Sequence, residues 1–184
     1  MKNTMVNFGF ISRLEGGPVC KGYVPDPEHS NSGVTIATGF DLGQRSHNDL
    51  QNLLPQSLVP ILSPYCGMTK QDAVAYLVLA PLEISIDEAD LIDLCVKSQL
   101  LEQLQYRYNR VSNVSFNRLP ERCQTVVASV SFQYGNLANR CPKFWQKSMS
   151  QDWIGLVQEL RDFGDRYPTR RNQEADYLVL RGKA

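Results

Sequence analysis

The sequence predicts an α+β fold, mostly α, and three observations carry that expectation. Apolar residues at helical spacing open the chain and stop at the pair Gly16 and Gly17. A stretch rich in Gly, Pro, Asn, Ser and Asp over residues 16–33 then leads into a β-branched run, GVTIATGFDLG, at residues 33–43. From Ser46 onward the apolar pattern turns helical and stays so. A helix, a small irregular sheet of two or three strands and a helical bundle follow from that order. One domain over residues 1–184 is expected, with a small β lobe at about 16–45 and a helical lobe at about 46–184.

The first expected helix covers residues 4–15, with Thr4 as its cap and Val6, Phe10, Ile11 and Leu14 recurring at helical spacing. Glycine ends it, because glycine readily takes the left-handed conformation after a helix. Residues 21–24 read as a short strand. Residues 34–40 read as one strand, with Val34, Ile36 and Thr38 on one face and Thr35, Ala37 and Gly39 on the other. Residues 48–54 form a short helix before Pro55. Residues 69–79 form another, opened by the capping signal T-K-Q-D and turning Ala73, Ala75, Tyr76, Leu77 and Leu79 inward. Residues 85–111 are one long helix or a pair, with Ile86, Ala89, Ile92, Val96, Leu100, Leu101 and Leu104 as core candidates. Pro120 opens a helix to residue 134, and its run TVVASVSF predicts burial on most sides. Residues 153–163 and 170–180 are two further amphipathic helices.

The composition narrows the function classes. The chain is 42% hydrophobic and 21% charged, values that suit a globular protein able to bury a core without staples. Its 19 basic and 19 acidic side chains balance, and no basic stripe marks a nucleic-acid partner. No run approaches the roughly 20 apolar residues of a membrane span, so no membrane insertion is expected. Five cysteines, Cys20, Cys66, Cys95, Cys123 and Cys141, include no C-x-x-C spacing. They read as thiols of a protein made in the cytosol, with one bridge after export left open. His29 and His47 are isolated, so neither a metal nor another cofactor is expected. The nucleophile elbow, the P-loop and the dinucleotide fingerprint are missing as well.

What remains is carboxyl chemistry. Glycosidic bond hydrolysis needs one carboxylic acid to protonate the leaving oxygen and a second carboxylate to activate water or steady the sugar cation. Glu15, at the end of the first helix, reads either as that acid or as a solvated helix-end residue. Asp41 lies in G-F-D-L-G, where open backbone N–H groups are available to hold a carboxylate; the same residue also suits a turn cap before Gly43. Thr35 lies six residues before Asp41, so both point the same way if the strand persists, and together they suit one water. Asp26 and Glu28 are competing carboxylates in a Pro-rich loop. In FQYGN, Gln133 and Asn136 suit sugar hydroxyls or N-acetyl groups, or else form an ordinary helix end. Arg170 and Arg171 read as a solvent face at a helix start or as ligand contacts.

Taken together, these segments resemble the phage-type lysozymes (muramidases), most closely the lysozyme-like domain of the pesticin type. ISRLEGG followed by Gly22 and Tyr23, then GVTIATGFDLG, is similar to the glutamate helix and the TIG-x-G hairpin of those enzymes. SFQYGN is similar to their FQ-x-G helix ending, and the segment from DWIGLVQEL to the last Arg-Gly pair to their closing helices. The resemblance spans nearly the whole chain. It implies a lysozyme-like fold with an N-terminal helix, a β-hairpin lobe and a C-terminal bundle. It implies cleavage of the β-1,4 bond between N-acetylmuramic acid and N-acetylglucosamine in peptidoglycan, with Glu15 as general acid, Thr35 positioning water or substrate, and Asp41 as second carboxylate. Substrate contacts would come from Gln133, Tyr23, Asn136 and Arg171. The sequence departs from many relatives in placing Phe40 where a histidine follows the hairpin, and its longer loop offers Asp26 as the alternative second carboxylate. A non-catalytic glycan-binding module and a chitinase-like glycosidase are the competing readings.

The N-terminus lacks a signal-peptide pattern. The chain is therefore expected to be made in the cytoplasm and to act in the periplasm of a target cell, as an antibacterial effector delivered by a contact-dependent (type VI-like) machine or as an endolysin released through a phage holin. A monomer is expected, with glycan strands and a cognate immunity protein as partners.

Overall fold

The protein's structure, a computed structural model, describes residues 4–179. Among them the order is α1 (Phe8–Glu15), β1 (Val19–Tyr23), β2 (Thr35–Ala37), β3 (Phe40–Asp41), α2 (His47–Leu53), α3 (Val59–Leu62), α4 (Lys70–Leu79), α5 (Ile86–Asn109), α6 (Glu121–Tyr134), α7 (Leu137–Arg140), α8 (Pro142–Met149), α9 (Trp153–Arg161) and α10 (Pro168–Val179). The fold is α+β and mostly α, with one antiparallel sheet in the order β1-β2-β3, as a lysozyme-like fold requires. No helix among the described residues is long and apolar enough to cross a membrane. Leu180, expected to end the last helix, and the closing Arg-Gly pair at 181 and 182 lie outside the described residues.

The chain forms two compact units. One is Glu15–Gln99; the other takes residues 4–14 and 100–179 of the described chain. In the first unit, three short strands cannot bury enough apolar surface alone. Val34, Ile36, Phe40 and Leu42 therefore share a core with Leu50, Leu58, Leu62, Ala73 and Ile92 from the following helices. The sheet thus belongs to the unit Glu15–Gln99.

The second unit is built around α6. Every residue of α6 from Cys123 to Ser131 is buried, as the run TVVASVSF predicts. Its polar members are satisfied: Gln124 accepts from Met5 N at 3.1 Å and donates to Leu119 O at 2.8 Å, and Thr125 Oγ1 accepts from Asn7 N at 2.9 Å. Phe116, Phe144, Leu156 and Ala175 pack in the same core.

Several local expectations are corrected. The first helix begins at Phe8, not at residue 4, because Asn7 caps it by accepting from Phe10 N at 2.9 Å while Thr4 is bonded to Gln124. Residues 34–40 are not one strand. The chain reverses between Ala37 and Phe40 and forms a hairpin of β2 and β3. Thr69 occupies the cap position of α4 without a side-chain cap bond. Ala75 and Leu79 face solvent, Leu79 at 83% exposure, as does Ile86 at the start of α5. The capping box of α5 is Ser85 with Glu88, joined at 2.8 and 3.2 Å. The helix or pair expected over 85–111 is one helix, Ile86–Asn109, and α3, α7 and α8 were not anticipated.

Candidate active site

The hairpin settles how the sheet residues meet. Thr35 on β2 is the cross-strand partner of Asp41 on β3 and also of Tyr23 on β1. Directly opposed residues of an antiparallel pair share a face. The expectation that Thr35 and Asp41 point the same way holds, but through pairing across a turn and not along one strand. Tyr23, Thr35 and Asp41 form one row across the sheet: an exposed ring, a buried hydroxyl and a half-buried carboxylate.

Backbone geometry fixes the carboxylate. Asp41 Oδ1 accepts from Gly33 N at 3.0 Å and from Gly43 N at 2.9 Å. Both bonds require the two glycines to lie almost in contact, since a Cβ on Gly43 would meet Gly33 Cα at 2.6 Å and Met68 O at 2.5 Å. Asp41 is therefore both the carboxylate held by N–H groups and the cap before Gly43 that the sequence left open. Its Oδ2 takes no hydrogen bond among the described residues. The Thr35 hydroxyl donates to Gly33 O at 3.1 Å, so its hydrogen is committed and its oxygen is left as an acceptor. The row thus offers two acceptors, one neutral and one charged.

The turn of the hairpin is held from α5. Ala37 lies in the left-handed region at φ 51°, which costs a residue with a Cβ about 1–2 kcal/mol. Next to it, Thr38 N donates to Asp93 Oδ1 at 3.0 Å and its hydroxyl to Asp93 Oδ2, which offsets that strain. One turn later on α5, Lys97 Nζ lies 2.8 Å from Glu15 Oε2. The Lys97 side chain is buried, at 8% exposure, and that of Glu15 is partly buried, at 14%. Glu15 is the last residue of α1, and Gly16 and Gly17 follow it with φ of 83° and 84°.

Lys97 and Asp93 were missed from sequence, although a signal existed. Both fall on the stripe of Ala89, Ile92, Val96, Leu101 and Leu104, where a solvated charge has no place. Asp26, the competing carboxylate, is exposed in a turn and accepts from His29 N at 3.3 Å, with His29 Nδ1 at 2.9 Å. Among the described residues there is no cluster of His, Cys, Asp and Glu that could hold a metal ion.

Gln133, Asn136 and Arg171 belong to the other unit. Arg171 is not on a solvent face: it is 1% exposed, its Nε donates to Asp165 Oδ2 at 2.8 Å, and its fork reaches Glu174 and Gln133 Oε1. Burial pulls the guanidinium down, and the charges and hydrogen bonds of Glu174 and Asp165 outweigh it, so the group is held above its ordinary value. Asp165 also accepts from Tyr134 Oη at 2.7 Å. Arg171 thus fixes the side-chain carbonyl of Gln133. Asn136 occupies the cap position of α7 without a side-chain cap bond.

No curated protein matches the chain. A family does: residues 5–154 match the Pesticin family, described as the bacterial toxin homologue of phage lysozyme, C-terminal part. The match spans α1, the hairpin, α5 and α6, hence every element that carries Glu15, Thr35, Asp41 and Gln133. The chain belongs to the Pesticin family of phage-lysozyme homologues.

Proposed function

We propose that this protein is a muramidase that hydrolyses the β-1,4 bond between N-acetylmuramic acid and N-acetylglucosamine in peptidoglycan. The observation that carries the reading is the pair of acceptors on the sheet, Thr35 Oγ1 and Asp41 Oδ2, beside a carboxylate locked through Oδ1. A water placed there donates one hydrogen to each acceptor and turns a lone pair to the anomeric carbon. Glu15 supplies the proton to the leaving oxygen. A carboxylate that grips water does not itself attack, so we infer inversion at the anomeric carbon. Tyr23, at the exposed end of the row, offers a ring to a sugar face, and Gln133 and Asn136 offer amides. The protein acts as an antibacterial toxin on the wall of a target cell, and a producer of such an enzyme needs a cognate immunity protein.

The test is digestion of purified peptidoglycan by the wild type and by Glu15→Gln, which keeps the shape and removes the transferable proton. Fragments are identified by mass spectrometry before and after borohydride reduction, and the anomer first released by proton NMR. Disaccharide-peptides with a reducible muramic acid end, in the α form and absent with the variant, are expected. A wild type that binds the polymer and releases nothing would make this a glycan-binding module instead. A reducible glucosamine end would make it a different glycosidase.

A further inference from the structure

The hairpin that carries Thr35 and Asp41 has little support of its own. β3 is an edge strand two residues long, joined to β2 through the pairs Thr35 with Asp41 and Ile36 with Phe40. So short a pairing is marginal in water without help from outside. Its tip is also strained: the chain reverses through Ala37 at φ 51° and Gly39 at φ 83°, and of the two only glycine takes such a value freely. The open end is anchored, because Asp41 Oδ1 accepts from Gly33 N and Gly43 N. The tip is gripped from α5. Asp93 spends both carboxylate oxygens on one residue, accepting from Thr38 N at Oδ1, 3.0 Å away, and from the Thr38 hydroxyl at Oδ2. Backbone and side chain of the turn are thus fixed together, by a group 55 residues away on a 24-residue helix. An apolar residue at position 93 would suit the stripe of Ala89, Ile92 and Val96 better, but it would leave the turn ungripped.

We propose that Asp93 is a positioning residue for the hydrolytic water: through Thr38 it holds the hairpin in register, and so keeps Thr35 Oγ1 and Asp41 Oδ2 at the spacing that one water bridges. The inference rests on the reading of Thr35 and Asp41 as the pair that holds this water. Thr38 lies midway between them along the chain, three residues from each, so a shift of the tip is passed to both strands. A slip of one residue would turn one member of the pair to the opposite face of the sheet. A smaller shift changes the distance between the two acceptors, and a displacement of about 1 Å lowers a rate about 100-fold even when its cause is remote from the chemistry. Asp93 exchanges no proton in the reaction. The pair it aligns acts on water and not on the sugars, so its contribution falls on kcat and not on glycan binding.

The experiment uses the full chain and soluble, uncrosslinked glycan strands, at a temperature where circular dichroism shows every variant folded. Asp93→Ala is expected to lower kcat about 10- to 100-fold with KM within about twofold. Asp93→Asn keeps an acceptor for Thr38 N and offers its amide to the Thr38 hydroxyl, and should restore kcat to within about threefold of wild type. Adding Thr38→Ala to Asp93→Ala should slow the enzyme no further, since the hydroxyl has already lost its partner. If Asp93→Ala does not fold, Thr38→Ala alone takes its place; it removes one of the two bonds and should lower kcat about 3- to 10-fold. A folded Asp93→Ala with wild-type kcat, whatever its Tm, would overturn the proposal and leave Asp93 a merely structural residue. So would a loss confined to KM, or an asparagine variant as slow as the alanine one. Asp41→Asn separates this failure from that of the reading beneath it. A wild type that cleaves nothing, or one that Asp41→Asn does not impair, overturns that reading; an unimpaired Asp93→Ala beside an inactive Asp41→Asn overturns the positioning role alone.

Discussion

Gly43→Ala is the sharpest probe of how the sheet holds its carboxylate. A Cβ at this position would lie 2.5 Å from Met68 O, 2.6 Å from Gly33 Cα and 2.8 Å from Gly33 N. All three are backbone atoms, so no flexible side chain is there to swing away. Non-bonded heavy atoms settle near 3.5 Å, and the two segments must therefore part by about 1 Å. The bonds from Gly33 N and Gly43 N to Asp41 Oδ1, now 3.0 and 2.9 Å, cannot both survive such a shift. Each is a hydrogen bond to a charged group worth about 1.5–3 kcal/mol, and water replaces part of what is lost. A net destabilisation of about 3 kcal/mol is expected, and for a chain of this size it lowers Tm by about 6–12 °C. A displacement of about 1 Å at the carboxylate is also expected to lower kcat about 100-fold. The assay is reducing-end release from peptidoglycan at a temperature where circular dichroism shows the variant folded. Gly9→Ala is the control: it lies exposed in α1 with only ordinary contacts, and should raise stability by about 0.5–1 kcal/mol without touching kcat. A folded Gly43→Ala with wild-type kcat would refute the argument that the glycine contact positions Asp41.

Three further outcomes are expected. Arg171→Met leaves Asp165 and the fully buried Glu174 without their guanidinium, at a cost of about 3–5 kcal/mol, and differential scanning calorimetry should show the largest Tm drop of the variants named here. Asp165→Asn tests a pH dependence. Burial, the largest influence, raises the Asp165 carboxyl, but hydrogen bonds from Tyr134 and Arg171, the Tyr167 N–H and the Arg171 charge outweigh it and hold the group below its ordinary value of 3.8. The unfolded chain then binds the proton more tightly, so this stabilisation is fully present above the ordinary value and is lost as pH falls through the folded one. The Tm gap between wild type and Asp165→Asn should be widest near neutral pH and close below about pH 4; a gap that widens in acid would refute it. Finally, burial pushes the Cys123 thiol up to about 11 and raises Cys141 as well. In the native protein at pH 8, iodoacetamide followed by mass spectrometry should leave both unmodified, while denaturation exposes all five cysteines.

The sequence by itself determined the elements whose signals are local. Periodicity placed α5, α6 and α9 to within a few residues, and paired glycines ended α1 at Glu15. Alternation and turn chemistry found the β-branched run and singled out Thr35 and Asp41. A period-2 pattern reads the same whether a chain continues or reverses, however, and the hairpin needed information from outside it. The Asp93 side chain that holds Thr38 is 55 residues away, and it steadies the left-handed Ala37 that local propensity argues against. The helical stripe of α5 was legible, yet what its two charges meet was not. Lys97 is separated from Glu15, and Asp93 from Thr38, by lengths of chain over which sequence spacing carries no geometric information. Arg171 shows the same limit: beside Arg170, near a helix start, it reads as a solvent-facing residue, and only the packing of Asp165, Glu174 and Gln133 around it makes burial of a full charge affordable. Local sequence specifies which groups exist and in what secondary structure; desolvation and the partners that offset it are properties of the folded chain alone.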